Sequence, residues 1–181
     1  MRETANLAVR LMVFALVAAL LLAVVNALTA DKIAFNTQEK INAARKEVIG
    51  DYEFADAGAD ISGMKYVTGI YAAMDGDMCM GYVYEMESRG YGGTVYLCAG
   101  VSPDGIVTGV KVSAHSETKG LGTDAGDRFL GRFVDMEAHA GSSMGVDAMS
   151  GATVSSNAVR NAVDEALTHF EANYTGGEAV Q

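Results

Sequence analysis

At 181 residues, half of them apolar, the chain is long enough for one domain with a packed core and too hydrophobic to be disordered throughout. Thirteen basic against 23 acidic side chains give a net charge of −10, which argues against nucleic acid as a partner, since neutralising a phosphate backbone needs a basic face. Two cysteines are too few for a disulfide scaffold or a four-thiolate metal site, while 21 glycines beside one proline point to tight turns and close backbone approaches.

From Leu11 to Ala30 the chain carries no charge, and only Asn26 and Thr29 interrupt a run of apolar residues. About 20 such residues at a 1.5 Å rise cross the hydrocarbon core of a bilayer. Arg2 and Arg10 precede the run and Asp31 follows it. This bias implies a single-pass anchor in the cytoplasmic membrane, with the N-terminus inside and everything after residue 30 outside the cytoplasm. A cleaved signal peptide is the alternative, with Val25-Asn26-Ala27 as a weak cleavage site, but the run exceeds the usual signal core of roughly 7–15 residues. Beyond residue 30 there are 11 basic and 22 acidic side chains. Anionic lipid should repel this part, leaving the helix as the attachment.

Residues 31–50 are expected to form a helix, because Ile41, Ala44, Val48 and Ile49 recur at spacings of three and four. Residues 51–75 are ambiguous, punctuated by Gly58, Gly63 and Gly69, and are grouped with 31–50 as a helical or irregular lead-in. Met80–Met86, the turn-forming Ser88–Gly93 and Thr94–Cys98 then read as strand, turn, strand. Pro103-Asp104-Gly105 is a second turn, followed by the β-branched run Ile106–Val112. Together these form a three-strand antiparallel meander. A polar, glycine-containing loop spans Ser113 to Gly126. Val159, Ala162, Val163, Ala166, Leu167 and Phe170 then mark one face of a helix that ends at Tyr174-Thr175-Gly176-Gly177. The expected fold is α+β: an N-terminal transmembrane helix (1–30 with the cytoplasmic N-terminus), the lead-in (31–75), one domain core (76–175) of antiparallel sheet with packed helices, and a tail (176–181).

Directly before that last helix lie Asp147-Ala148-Met149 and Ser150-Gly151-Ala152-Thr153-Val154-Ser155-Ser156. Hydroxyls and unpaired N–H groups at a helix start favour an anion, and Gly151 lets the backbone come close to a phosphate. The same residues also serve as an ordinary helix cap. Composition and spacing leave both open.

Ser150–Ser156, with Asp147 six residues before Thr153, resembles the flavinylation motif of the FMN-binding domain family. That family comprises flavin-carrying subunits of Rnf-type ion-translocating ferredoxin:NAD oxidoreductases and of sodium-pumping NADH:quinone oxidoreductases. The resemblance implies that Thr153 is joined to the FMN phosphate by a phosphoester, made from FAD by a flavin transferase. It also implies that Asp147, Ser150, Gly151 and Ala152 belong to the segment the transferase reads, with Ser155 and Ser156 beside the cofactor. His115-Ser116-Glu117-Thr118-Lys119-Gly120-Leu121-Gly122 is similar to the family's His-x-Glu-Thr-Pro-Gly-Leu-Gly loop, with Lys119 where proline is usual. His115, Glu117, Thr118, Gly120, Leu121 and Gly122 are thereby implied to lie against the flavin ring. The Gly90-Tyr91-Gly92-Gly93 and Pro103-Asp104-Gly105 turns and the N-terminal helix fit the same pattern, and the length favours the Rnf branch.

His139 and His169 have no ligand-spaced neighbours and are expected to be solvated; no metal site is expected. Cys79 and Cys98 are symmetric about a turn at Ser88-Arg89, so a cross-strand disulfide and two free thiols are both open. Met74, Met78, Met80 and Met86 read as core fillers, and Asp124, Asp127, Asp135 and Glu137 as part of a solvated face.

The resemblance implies an electron-relay subunit of a membrane-bound, Na⁺- or H⁺-translocating ferredoxin:NAD oxidoreductase. It would work through covalent FMN beside the other subunits of an Rnf-type complex, with no catalytic residue of its own and no nucleic-acid partner. No Gly-x-Gly-x-x-Gly follows a strand, so NAD itself is not expected to bind. The alternatives are a flavinylated subunit of a quinone reductase or extracellular electron-transfer chain, and a non-redox, membrane-anchored binding or assembly protein.

Overall fold

The computed structural model describes residues 2–115 and 124–174. It divides into two compact units, Met1–Glu39 and Lys40–Gln181. One helix, α1 (Arg2–Ile49), runs through the boundary between them. In the first unit, Arg10–Ala30 has a mean hydropathy of 2.8 and is long and apolar enough to cross a membrane. Every side chain from Leu11 to Ala30 is exposed, as suits a segment with no protein to pack against.

The second unit is built on a five-stranded antiparallel sheet in the order β1 (Glu53–Asp56), β2 (Val67–Asp75), β3 (Met78–Arg89), β4 (Thr94–Val101), β5 (Val107–His115). After β5 come α2 (Asp124–Leu130), 3-10 turns at Gly131–Phe133 and Ser142–Gly145, and α3 (Thr153–Tyr174). The expected three-strand meander is therefore the later part of a larger sheet. β1 and β2 occupy the stretch that the sequence alone leaves as an irregular lead-in.

Alternation gives the sheet two faces. Tyr82, Tyr84, Met86, Val95, Leu97, Ala99 and Val101 point to one face and form the main core with α3. All six α3 residues picked out by helical spacing, Val159, Ala162, Val163, Ala166, Leu167 and Phe170, are fully buried there. Each such side chain contributes about 1.5–3 kcal/mol through burial, except the smaller alanines. Phe129, Leu130 and Phe133, in and just after α2, close the same core.

The opposite face carries the end of α1. Ala44 and Val48 pack on Val83 and Cys98, as the helical spacing of residues 31–50 anticipates. The backbone comes in unusually close: a Cβ at Gly100 would stand 2.6 Å from the Val48 carbonyl oxygen, and one at Gly109 would stand 2.9 Å from Val48 Cα. These two glycines are cross-strand partners, so together they open a flat seat for the helix. The Thr108 hydroxyl donates to the Val48 carbonyl at 2.5 Å, satisfying an acceptor that the helix end leaves free. Arg45, 7% exposed, pairs with Glu85 at 2.7 Å and lies over the Tyr71 ring, 3.6 Å from its centroid.

The register fixes the hairpin centre within the expected Ser88–Gly93 turn segment. Arg89 faces Thr94, and Gly90 N–H donates to the Gly93 carbonyl at 2.8 Å, so the turn is Gly90–Gly93 rather than Ser88-Arg89. Cys98 consequently pairs with Glu85 and Cys79 with Met74; the thiols are not cross-strand partners, and both are free. Burial, with Glu85 adding and Arg45 opposing, pushes the Cys98 thiol up to about 12. Of the four methionines read as core fillers, Met86 is buried and Met78 is exposed on the β2–β3 hairpin.

Candidate functional site

The chain reaches α3 through a β-turn. Ala152 N–H donates to the Met149 carbonyl at 3.1 Å, and Gly151, the third residue of that turn, has φ of +78°. A positive φ at this position favours glycine. Ser156, buried, accepts the Met149 N–H at 3.0 Å and donates to the Ala152 carbonyl at 2.8 Å. Ser155, also buried, accepts the Tyr91 N–H at 3.2 Å, which holds the Gly90–Gly93 turn against the start of α3.

The segment before the turn is pinned from outside. Arg132 Nη1 donates to the Asp147 carbonyl at 3.3 Å and Arg160 Nη2 to the Met144 carbonyl at 2.5 Å. Asp164 accepts the Gly141 N–H and the Ser143 hydroxyl, both at 2.9 Å. With its interior contacts satisfied, the segment leaves Asp147, Ser150, Gly151, Thr153 and Val154 exposed and Ala152 half-buried. Among the described residues the N–H groups of Thr153, Val154 and Ser155 have no acceptor, and no acidic side chain occupies the first turn of this 22-residue helix. Those donors and the helix dipole favour negative charge beside the Thr153 hydroxyl.

The sequence motif is thus one structural unit with two kinds of member. Asp147, Ser150, Gly151 and Thr153 face outward, whereas Ser155 and Ser156 spend their hydroxyls inside the fold. The second candidate stretch is reached only at its start. His115 ends β5, with Val95 of β4 as its partner, at the same end of the sheet as the Arg89–Thr94 pair and the Gly90–Gly93 turn. Glu117, Thr118, Gly120, Leu121 and Gly122 lie outside the described residues.

His169 departs from the expected solvated state. It is half-buried on α3 with Nδ1 3.1 Å from the Tyr84 phenol, and desolvation lowers its pKa. Tyr84 is fully buried, and the same loss of water raises its phenol well above the ordinary range. His139 is exposed, with its Nδ1 3.1 Å from the Ala140 carbonyl. Among the described residues no group of three or more His, Cys, Asp or Glu is placed to hold a metal. A cavity of about 710 Å³, lined in part by Tyr66, Asp164, Glu165 and His169, lies along the later turns of α3. Glu165 fixes its wall by accepting the Lys65, Tyr66 and Val67 N–H groups at 2.8, 2.6 and 3.0 Å. These long-range partners of Ser155, Arg132, Arg160 and Glu165 leave no periodic or motif signal in the sequence.

Comparison with known proteins places this geometry in a family. Residues 90–168 match the FMN-binding domain, and residues 2–48 match the RnfG N-terminal region. The G subunit of the ion-translocating oxidoreductase complex of Methanosarcina acetivorans is 34% identical over 94% of this chain and 96% of its own length. That of Aliivibrio fischeri strain MJ11 is 31% identical over 89% of this chain and 87% of its own. The G subunit of the proton-translocating ferredoxin:NAD(+) oxidoreductase complex of Clostridium ljungdahlii is 40% identical over a shorter stretch, 60% of this chain and 62% of its own. With an apolar N-terminal helix for membrane association, an α+β domain that takes FMN as cofactor, and similarity over nearly its whole length, the chain belongs to the RnfG family, the G subunits of ion-translocating oxidoreductase complexes.

Proposed function

We propose that the chain relays electrons through an FMN held on Thr153 by a phosphoester, within a membrane complex that couples ferredoxin:NAD oxidoreduction to Na⁺ or H⁺ transport. The anchor is a single span with the N-terminus in the cytoplasm, and the flavin-binding core, residues 76–175, lies outside it. The observation that carries this reading is the Thr153 hydroxyl itself: exposed, at the first residue of α3, beside three N–H groups without acceptors among the described residues.

These residues fit a phosphoester. Thr153 is exposed, nothing lies within 4 Å of a Cβ placed at Gly151, and the helix start offsets the remaining negative charge. Attachment joins Thr153 Oγ to the FMN phosphorus as the pyrophosphate bond of FAD breaks; AMP leaves and the hydroxyl proton is lost. Asp147, Ser150, Gly151 and Ala152 present the oxygen to the transferase, while Ser155 and Ser156 keep the segment in its outward pose. By the family resemblance, His115, Glu117, Thr118, Gly120, Leu121 and Gly122 are assigned to the flavin ring. Bound there, FMN supplies reversible electron acceptance and donation. A permanent link suits a carrier that works where free flavin is scarce.

Thr153→Val, co-expressed with the transferase, tests this. The expected result is complete loss of flavin fluorescence from the denatured band and of the FMN mass on the peptide containing residue 153, with the domain still folded. Undiminished flavin on denatured Thr153→Val protein would overturn the attachment. A wild-type chain without covalent flavin after the same co-expression would leave the binding or assembly role standing instead.

A further inference from the structure

Tyr91 is 86% exposed, more than any other large apolar side chain among the described residues. Its backbone, by contrast, is held at several points. The Arg89–Thr94 pair closes the hairpin, Gly90 N–H donates to the Gly93 carbonyl at 2.8 Å, and Tyr91 N–H donates to the buried Ser155 hydroxyl at 3.2 Å. Among the described residues neither the Tyr91 ring nor its hydroxyl has a partner. Gly90 and Gly92 flank it, so no adjacent side chain of the turn covers either face of the ring. A fixed backbone beneath an uncovered aromatic ring is a preformed stacking surface, on which a contact costs little further ordering.

Ser155 ties this surface to the attachment residue. Thr153 lies two residues earlier on α3, so bond lengths and helix geometry keep the Tyr91 and Thr153 Cα atoms within about 13 Å of each other. That is less than the length of an extended FMN. Positions two apart on a helix are separated by about 200° around its axis, so the short way from Thr153 to Tyr91 crosses the start of α3. There lie the N–H groups of Thr153, Val154 and Ser155, which have no acceptor among the described residues. A phosphate on that path meets these donors, and the exposed Val154 side chain adds apolar surface beside them.

We infer that Tyr91 stacks on the ring of the flavin carried on Thr153, and so fixes where the tethered cofactor presents its redox-active part. The inference rests on the attachment proposed above. The ribityl chain between phosphate and ring is flexible, and a phosphoester alone leaves the ring free to sweep a wide volume. Once the tether is made, stacking is an intramolecular event at an effective concentration in the millimolar range. A contact too weak to capture free FMN is then enough to orient the attached one. An electron-rich phenol against the ring also quenches flavin fluorescence, which makes the contact visible.

The test uses the full chain, flavinylated by co-expression and purified in detergent, as wild type, Tyr91→Leu, Tyr91→Trp and Tyr96→Leu. Flavin emission and anisotropy are read per FMN found on the Thr153 peptide, so a change in loading does not enter. Tyr91→Leu is expected to raise native emission severalfold and to lower anisotropy, with both differences vanishing on denaturation. Tyr91→Trp, whose ring stacks and quenches as well, should stay as dim as wild type. Tyr96 is the control: it is exposed on β4 and alternates with the core residues Val95 and Leu97, which puts it on the face away from α3. Tyr96→Leu should therefore leave both signals unchanged. Native emission and anisotropy unaltered in Tyr91→Leu overturn the inference; lost co-purification of other subunits in that case would make the ring a partner's anchor instead. A Tyr96→Leu protein as bright as Tyr91→Leu overturns it too. Wild-type protein lacking flavin on Thr153 overturns it together with the attachment on which it rests.

Discussion

His169 shows how one buried contact turns into a pH dependence. Desolvation lowers its pKa, so the unfolded chain takes up the proton more readily than the folded one. The stability tied to the neutral ring is present in full above the ordinary histidine value of about 6.5, and it is lost as pH falls through the lower folded value. The same ring keeps its Nδ1 3.1 Å from the buried Tyr84 phenol, so a change in its charge is felt at that contact. Urea midpoints measured at about pH 8 and about pH 5 should therefore fall further in wild type than in His169→Gln, the carboxylates titrating alike in both. Equal falls would rule out the histidine as a contributor. At this scale Thr153 was legible because its motif is local, seven consecutive residues at a helix start. The inward hydroxyls of Ser155 and Ser156 were not: Ser155 answers to Tyr91, 64 residues away.

At the scale of elements, the seat of α1 on the sheet depends on side chains that are absent. Adding a methyl group at Gly100 would press on the Val48 carbonyl and lift the helix end from β4 and β5. Gly100→Ala is expected to cost about 1–3 kcal/mol in chemical denaturation, as overpacked sites do. Gly131→Ala, where nothing lies within 4 Å of the added carbon, should cost much less. A similar loss at both positions would show that close approach is not what the first glycine serves. The buried face of α3 was legible because one unbroken face carries its apolar stripe; its start was not, since Thr153–Ser156 read as lying before the helix and form its first turn. β3 to β5 were legible because their β-branched and aromatic runs are bounded by the turn residues Ser88–Gly93 and Pro103-Asp104-Gly105. β2 was not, for a physical reason: irregularities between Val67 and Gly69 and between Ala73 and Met74 shift its register. Its buried residues consequently fall at Val67, Ile70 and Ala73, a spacing of three that imitates a helix. β1, four residues on the sheet edge with no buried side chain, is too short to carry a period.

For the molecule as a whole, the last ten residues of α1 belong to the compact unit that begins at Lys40. A chain starting at Lys40 keeps Ala44, Arg45 and Val48 over Val83, Cys98 and Glu85. It is expected to be a folded, monodisperse protein by size-exclusion chromatography and near-UV circular dichroism. A chain starting at Asp51 strands Glu85 without Arg45, a loss of about 3–5 kcal/mol for a broken buried pair, and uncovers an apolar sheet face. That version is expected to aggregate or to melt far lower; two equally well-folded proteins would mean that the helix end contributes no stability. The apolar helix Arg10–Ala30 was the most legible feature of the sequence. Hydropathy is a property of composition alone, whereas a helix that leaves the apolar run and becomes part of a sheet's cover is a property of the sheet.

Gly151 combines a φ of +78° with empty space where a side chain would project. What disfavours other residues there is chirality: a mirror-image alanine would sit comfortably where the natural one strains. An enzyme that reads this segment meets a stretch of naked peptide whose contour few encoded side chains can counterfeit.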